Sequence, residues 1–203
     1  MPLHFRYAVM TCVLVASGMS AKGQIYKLHN ADVAMGGTGQ FTTSITDQTN
    51  TPHQATTDSA GFLFSFREHP VPWAGIELNY QYSSFSERYT SSFNGAPLAS
   101  VPLSFHEGTG AYLFHRNYGR VHPFLGIGGG TLYFDSITPL GGQLRGTGLF
   151  EVGADAVTHN PHLAFRVQAR SLLYRAPNFN DSAIATSRWV ATTEPSASVV
   201  LRF

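Results

Sequence analysis

The chain has 203 residues, a formal net charge of +1, 12% charged residues, 13% aromatic residues and 20 glycines. That charged share is about half the usual one for a soluble protein, and with no basic stripe it argues against nucleic acid as a partner. Mean hydropathy is −0.06, which excludes a bundle of apolar helices but suits strands whose two faces alternate and cancel.

In chain order, residues 1–23 read as a secretory signal peptide. Arg6 supplies the positive charge, and Tyr7 to Ala16 is an apolar core about ten residues long, too short to span a bilayer. Ala21-Lys22-Gly23 fits a cleavage site before Gln24, with Ser20 as the fallback. An uncleaved anchor fits less well, because Ser17, Gly18, Ser20 and Lys22 interrupt the apolar run. Cys12 is the only cysteine and lies within this segment, and Thr11 before it does not suit a lipoprotein signal. The mature chain then has no thiol, which excludes disulfides, thiol catalysis and cysteine-based zinc sites. Residues 24–203 have the size of one domain.

Eight segments of period-two alternation follow. Asp32 to Thr43 sets Val33, Met35 and Phe41 against Gly36, Thr38, Gln40 and Thr42. Gly61 to His69 sets Phe62, Phe64 and Phe66 against Ser65 and Arg67. Ala74 to Phe85 is the clearest, with Ile76, Leu78, Tyr80 and Tyr82 opposed to Glu77, Asn79, Gln81 and Ser83. The fourth, Val101 to Phe114, leaves the parity of His106 and Glu107 open. Val121 to Phe134, Thr147 to Val157, Leu163 to Tyr174 and Arg188 to Phe203 complete the set. A helix through the fifth is excluded by Pro123 with Gly126, Gly128, Gly129 and Gly130. Connections after the first, third, fifth and seventh segments read as long and polar, about a dozen residues or more, and the others as short turns. The pattern predicts an all-β fold: an eight-stranded antiparallel up-and-down transmembrane β-barrel, with both termini periplasmic.

Several motifs carry a family resemblance. The run from Val121 to Phe134 resembles the Pro-aromatic, Gly-x-Gly-Gly strand of small bacterial outer-membrane β-barrel domain proteins. His106 to Phe114, Arg166-x-Gln168-x-Arg170 and the ending from Glu194-Pro195 to Arg202-Phe203 resemble neighbouring strands of that family. The whole mature chain is similar to an OmpA-like transmembrane barrel without a peptidoglycan-binding domain. The resemblance implies an outer-membrane location, and it implies that Phe203 is the insertion signal read by the barrel-insertion machinery. The expected partners are that machinery and outer-membrane lipid. The expected state is a monomer, and the sequence names no partner for the outer loops.

Assigning the polar parity to the lumen yields an ion-pair set: Arg67, Glu77, Glu107, Glu151, Asp155, Arg166, Arg170, Glu194 and Arg202. Arginine forks suit carboxylates, and an eight-stranded barrel has an interior that side chains fill. The expectation is a plugged lumen whose acids and bases nearly balance. Gly126, Gly128 and Gly130 are expected to leave room for arginines across from them. Counting back from the turn at 158–162 puts Asp155 opposite Leu163 to Phe165 and Glu151 opposite Val167 to Arg170. Trp73, Tyr112, Phe114, Tyr118, Phe134, Tyr174 and Trp189 are expected in interfacial girdles. Gly126-x-Gly128 lies mid-strand with no helix after it, so it is no nucleotide fingerprint. Ser104, His106 and Glu107 come nearest to a catalytic cluster, but in reversed order for a lipid deacylase. His159 and His162 flank Pro161 without a third ligand. No enzyme activity, cofactor or metal is expected. The reading is an integral outer-membrane barrel with a structural or surface-interaction role. The alternatives are a porin-like transporter of small or hydrophobic solutes and, least favoured, a lipid-modifying enzyme.

Overall fold

The computed structural model describes residues 30–44, 53–91, 95–136, 141–179 and 188–203. The predicted signal peptide and its cleavage site lie outside them. The described strands are β1 (Ala31–Thr42), β2 (His53–Thr56), β3 (Ser59–Val71), β4 (Ala74–Thr90), β5 (Pro97–His115), β6 (Val121–Ser136), β7 (Gly142–Val157), β8 (Leu163–Arg175) and β9 (Trp189–Arg202). All pairings are antiparallel, and β1 pairs with both β3 and β9. Strands β1 and β3 to β9 therefore close into the eight-stranded barrel that the alternation predicts. Closure matters because an open sheet leaves a row of unpaired backbone groups. The seam between first and last strands is tied at its end by the Phe203 N–H, which donates to the Ala31 carbonyl at 2.9 Å.

Period two separates the wall into faces. Outward stand Met35, Ile76, Leu78, Tyr112, Ile127, Phe150, Val167 and Leu201, all exposed; inward stand Gln40, Arg67, Glu77, Glu151, Arg170 and Glu194, all buried. Apolar outside and polar inside is the reverse of a soluble barrel. Of the seven aromatics expected at the girdles, Trp73, Tyr112, Phe114, Tyr118 and Trp189 face outward. Phe134 and Tyr174 do not: both are buried inside. Their parity matches that of Leu132 and Leu172, so the pleat carries them inward.

Two features depart from the expected strand layout. The short strand β2 pairs with β4 alone, from His53↔Thr90 to Thr56↔Glu87, and its four residues are too few to show an alternation. The connections expected to be long are also shortened where strands run on, to residues 91–96 between β4 and β5 and 137–141 between β6 and β7. Strands β4 and β5 continue beyond the apolar band. There the outward positions turn polar at Ser84, Ser86 and Arg88, while Phe85 and Tyr89 still pack inward. That end carries the β2 flap. The opposite end has the tight turns at 72–73, 116–120 and 158–162 and both described chain ends.

Candidate functional site: the lumen

The interior has two zones. Toward the β2 end it is an apolar core. Phe105 lies 5.3 Å from Phe134 and 5.8 Å from Phe85, and Phe134 lies 5.7 Å from Tyr174 between ring centroids. Leu103, Leu132, Leu149, Leu172 and Val190 fill the spaces between these rings. The sequence reading missed this zone because it assigned the lumen only to polar residues.

Below the rings lies a first charged layer around Arg170. Its guanidinium donates to Glu107, to Glu194 Oε2 at 3.2 Å, to Gln81 Oε1 at 3.0 Å and to Thr109 Oγ1 at 3.1 Å. Gln81 in turn donates to Glu194 at 2.8 Å. Glu151 is the register partner of Arg170, yet the closest approach is 3.9 Å, and neither Glu151 oxygen has a protein hydrogen-bond partner. One guanidinium thus serves three carboxylates. A planar fork with donors on several edges can bridge separate strands in this way, which lysine cannot.

A second layer lies nearer the short turns. Arg166 donates to Asp155 through Nε at 2.7 Å and Nη2 at 3.0 Å, and to Asp32 Oδ1 at 2.9 Å. Arg67 pairs with Glu77, its register partner across β3 and β4, and reaches Gln168 at 3.3 Å. The Arg67 guanidinium lies 3.8 Å over the Phe124 ring, an attractive cation–π arrangement. Arg202, at the mouth, donates to Asp155 at 3.2 Å.

All nine residues of the expected ion-pair set face the lumen, and two acids join them: Asp32 on β1 and Glu87 on the β4 extension. Acids therefore outnumber arginines, where near balance was expected. Asp32 shares the parity of Thr38 and Gln40, and Glu87 that of Glu77 and Gln81. Both were legible in principle had the alternation been carried to the strand ends. Asp155 lies opposite Arg166, one residue beyond the expected window, and Glu151 opposite Arg170.

The glycines act differently from expectation. At Gly126 a Cβ would stand 2.5 Å from Glu151 Oε1, so the space serves a carboxylate on β7 rather than an arginine. At Gly128 a Cβ would run into the Gly110 carbonyl of β5, so the requirement there is backbone approach. Chemistry on β5 is also dispersed. Glu107 points inward, while His106 points outward, bonded to the Tyr80 hydroxyl at 2.9 Å and packed on Tyr82. Ser104 shares the outward parity, so the pleat keeps Glu107 from both. Among the described residues no three histidine, cysteine or acidic side chains converge closely enough to hold a metal ion. His159 and His162 stay in the exposed turn before β8.

No protein-family model and no curated protein matches the sequence. Among solved structures the fold is similar to the Neisserial surface protein A, with a TM-score of 0.59 at 12% identity over 85% of this chain and 97% of that one. The solved structures it resembles include further small outer-membrane barrels. The outer membrane protein OprG from Pseudomonas aeruginosa aligns with a TM-score of 0.55 at 12% identity over 86% of this chain and 96% of that one. The attachment invasion locus protein Ail of Yersinia pestis, solved with the heparin analogue sucrose octasulfate, aligns with a TM-score of 0.50 at 12% identity, covering 86% and 99%. At such identity the likeness is one of fold.

Proposed function

We propose that this chain is an integral outer-membrane β-barrel with a structural or surface-interaction role, whose lumen is plugged by its own side chains. One observation carries the reading: an apolar outer band encloses two arginine layers topped by an aromatic core. The outer band supplies the favourable transfer into hydrocarbon, since the closed sheet satisfies its backbone internally. The interior is closed twice, once by crosslinks from β8 to β1, β4 and β5, and once by interlocked rings that exclude water. With the tight turns toward the periplasm, the β2 end and its neighbouring loops meet the outside, where a surface partner would bind.

The test is planar-bilayer recording on the refolded full chain, together with fractionation and heat-modifiability on gels. The wild type should be heat-modifiable, reside in the outer-membrane fraction and show no steady conductance. Arg170→Ala takes from Glu107 and Glu194 the guanidinium that bonds them, beside a third carboxylate, Glu151. It should destabilise the barrel by about 3–5 kcal/mol, the cost of stranding a buried charge, or open a measurable conductance. The rescue suggested by register alone, Arg170→Met with Glu151→Gln, is insufficient in this geometry because Glu107 and Glu194 hold Arg170 more closely than Glu151 does. Steady wild-type conductance would overturn the plug, and a shift in lipid A mass on expression would favour the enzyme alternative.

A further inference from the structure

The short-turn mouth of the barrel holds a cavity of about 510 Å3, within the size range of small-molecule sites. Four histidines from four different segments line it: His69 on β3, His115 on β5, His122 on β6 and His162 in the turn before β8. Leu113 and Phe124 supply an apolar wall.

The imidazoles form a polarised chain. His69 Nε2 lies 3.1 Å from Asp32 Oδ2, and His69 Nδ1 lies 3.1 Å from His115 Nε2. Asp32 is an acceptor, so His69 donates from Nε2 and its Nδ1 accepts the His115 N–H. Only one proton fits between those two rings. On the other side Arg202 Nη2 approaches His122 Nδ1 at 3.5 Å, while His122 Nε2 meets the Gly119 carbonyl at 3.2 Å. His122 thus turns Nδ1 toward Arg202 and Nε2 toward the Gly119 carbonyl. His162 Nδ1 meets the Arg202 carbonyl at 3.0 Å.

The acids at the floor already have cations. Asp32 is bonded by Arg166, and Asp155 by Arg166 and Arg202, while Arg67 pairs with Glu77. Phe203 stands on the rim, 65% exposed. His69 already faces Asp32, whereas no buried acid among the described residues is bonded to the His115 imidazole, so a proton on His115 adds a positive charge without a bonded carboxylate to meet it. His122 stands beside Arg202, and the His69 and His115 rings stand edge to face with centroids 4.6 Å apart. Desolvation above all, with His69, Arg67 and His122 nearby and Asp155 opposing them, holds the His115 imidazole below its ordinary value. This rim residue is thus neutral near pH 7 and is charged in acid.

We propose that this cavity is a binding site for a small organic acid, its anionic end met by the His115 and His122 imidazoles and Arg202, its apolar part against Leu113 and Phe124. An anion removes the repulsion that otherwise opposes protonation, so anion and protons are taken up together. By linkage, the anion raises proton affinity by the same factor that protons raise anion affinity.

Calorimetry on the refolded full chain in lipid nanodiscs tests this, with benzoate as the anionic probe, benzyl alcohol as its uncharged counterpart and empty nanodiscs as the blank. Benzoate should bind roughly tenfold more tightly at about pH 5.5 than at about pH 7.5, a span that brackets histidine titration. Its heat should change between buffers of different ionisation enthalpy, reporting proton uptake, and benzyl alcohol should show neither effect. In His115→Gln with His122→Gln, benzoate should lose its pH dependence. Imidazole chemical shifts of the wild type, followed by NMR during the titration, give a reading that needs no variant to fold. Benzoate binding that ignores pH, binding that persists unchanged in the double variant, or imidazole shifts that do not move would each overturn the site.

Discussion

At the residue scale, facing is the decisive variable. Leu78 and Asn79 are adjacent on β4, with Leu78 59% exposed on the outer face and Asn79 5% exposed in the lumen. Leu78→Arg should cost about 2–4 kcal/mol, the range for a cation at the bilayer midplane. Asn79→Ser should cost far less, because neither amide atom of Asn79 has a protein partner to lose. Refolding titrations in lipid rank the two, and the opposite order would mean the β4 parity is wrong. Glycines give a second contrast. A methyl group at Gly128 meets the backbone of Gly110 and Ala111, which cannot move without breaking the β5 ladder, whereas nothing lies within 4 Å of one at Gly37. Gly128→Ala should therefore destabilise by about 1–3 kcal/mol, as overpacking does, while Gly37→Ala should be close to neutral in the same titrations.

At the scale of the element, the extension of β4 carries a titrating group. Glu87 lies beyond the apolar band under β2, accepts a hydrogen bond from the Tyr89 hydroxyl at 2.6 Å, and lacks an ion pair among the described residues. Burial pushes its carboxyl from 4.5 up to about 7, against the opposing hydrogen bonds of Tyr89 and Gln54. The folded chain holds this proton more tightly than the unfolded one. Below the unfolded value both states are protonated and Glu87 has no effect. As pH rises from about 4.5 to about 7 the unfolded chain ionises first, and stability falls by about 3 kcal/mol in total. Glu87→Gln should remove that loss, so the variant should gain on the wild type across this window and match it in acid. Urea midpoints at several pH values check it; parallel curves for the two proteins would show that the Glu87 site is hydrated in the folded state.

At the scale of the whole molecule, closure is the event on which everything else depends. The lumen layers exist only once β9 meets β1, since Arg166 on β8 reaches Asp32 on β1 across that seam. Phe203 sits at the end of the seam and contributes a backbone bond to Ala31. Deleting Phe203 should lower the yield of folded barrel in cells, measured as the heat-modifiable fraction in outer membranes. Normal levels of the truncated protein would show that the seam seals without it.

Much of this was legible in the sequence, and for a definite reason. Strand alternation is a local property with a period of two, so Ile76 to Ser83 declares both its conformation and its two faces without reference to any other segment. Eight such segments joined in order have few ways to pair, and the closed antiparallel barrel follows. Parity also indicates which charges share the interior. Partner choice is not local. Arg170 has Glu151 and Glu194 beside it in register, yet it also bonds Glu107 on β5, because a guanidinium on a long stem reaches across the lumen. The inward turn of Phe134 and Tyr174 likewise required the register, since an aromatic near a strand end suits a girdle and a core equally. The histidine-lined mouth draws its residues from β3, β5, β6 and a turn, positions far apart in the chain that only the closed barrel brings around one cavity.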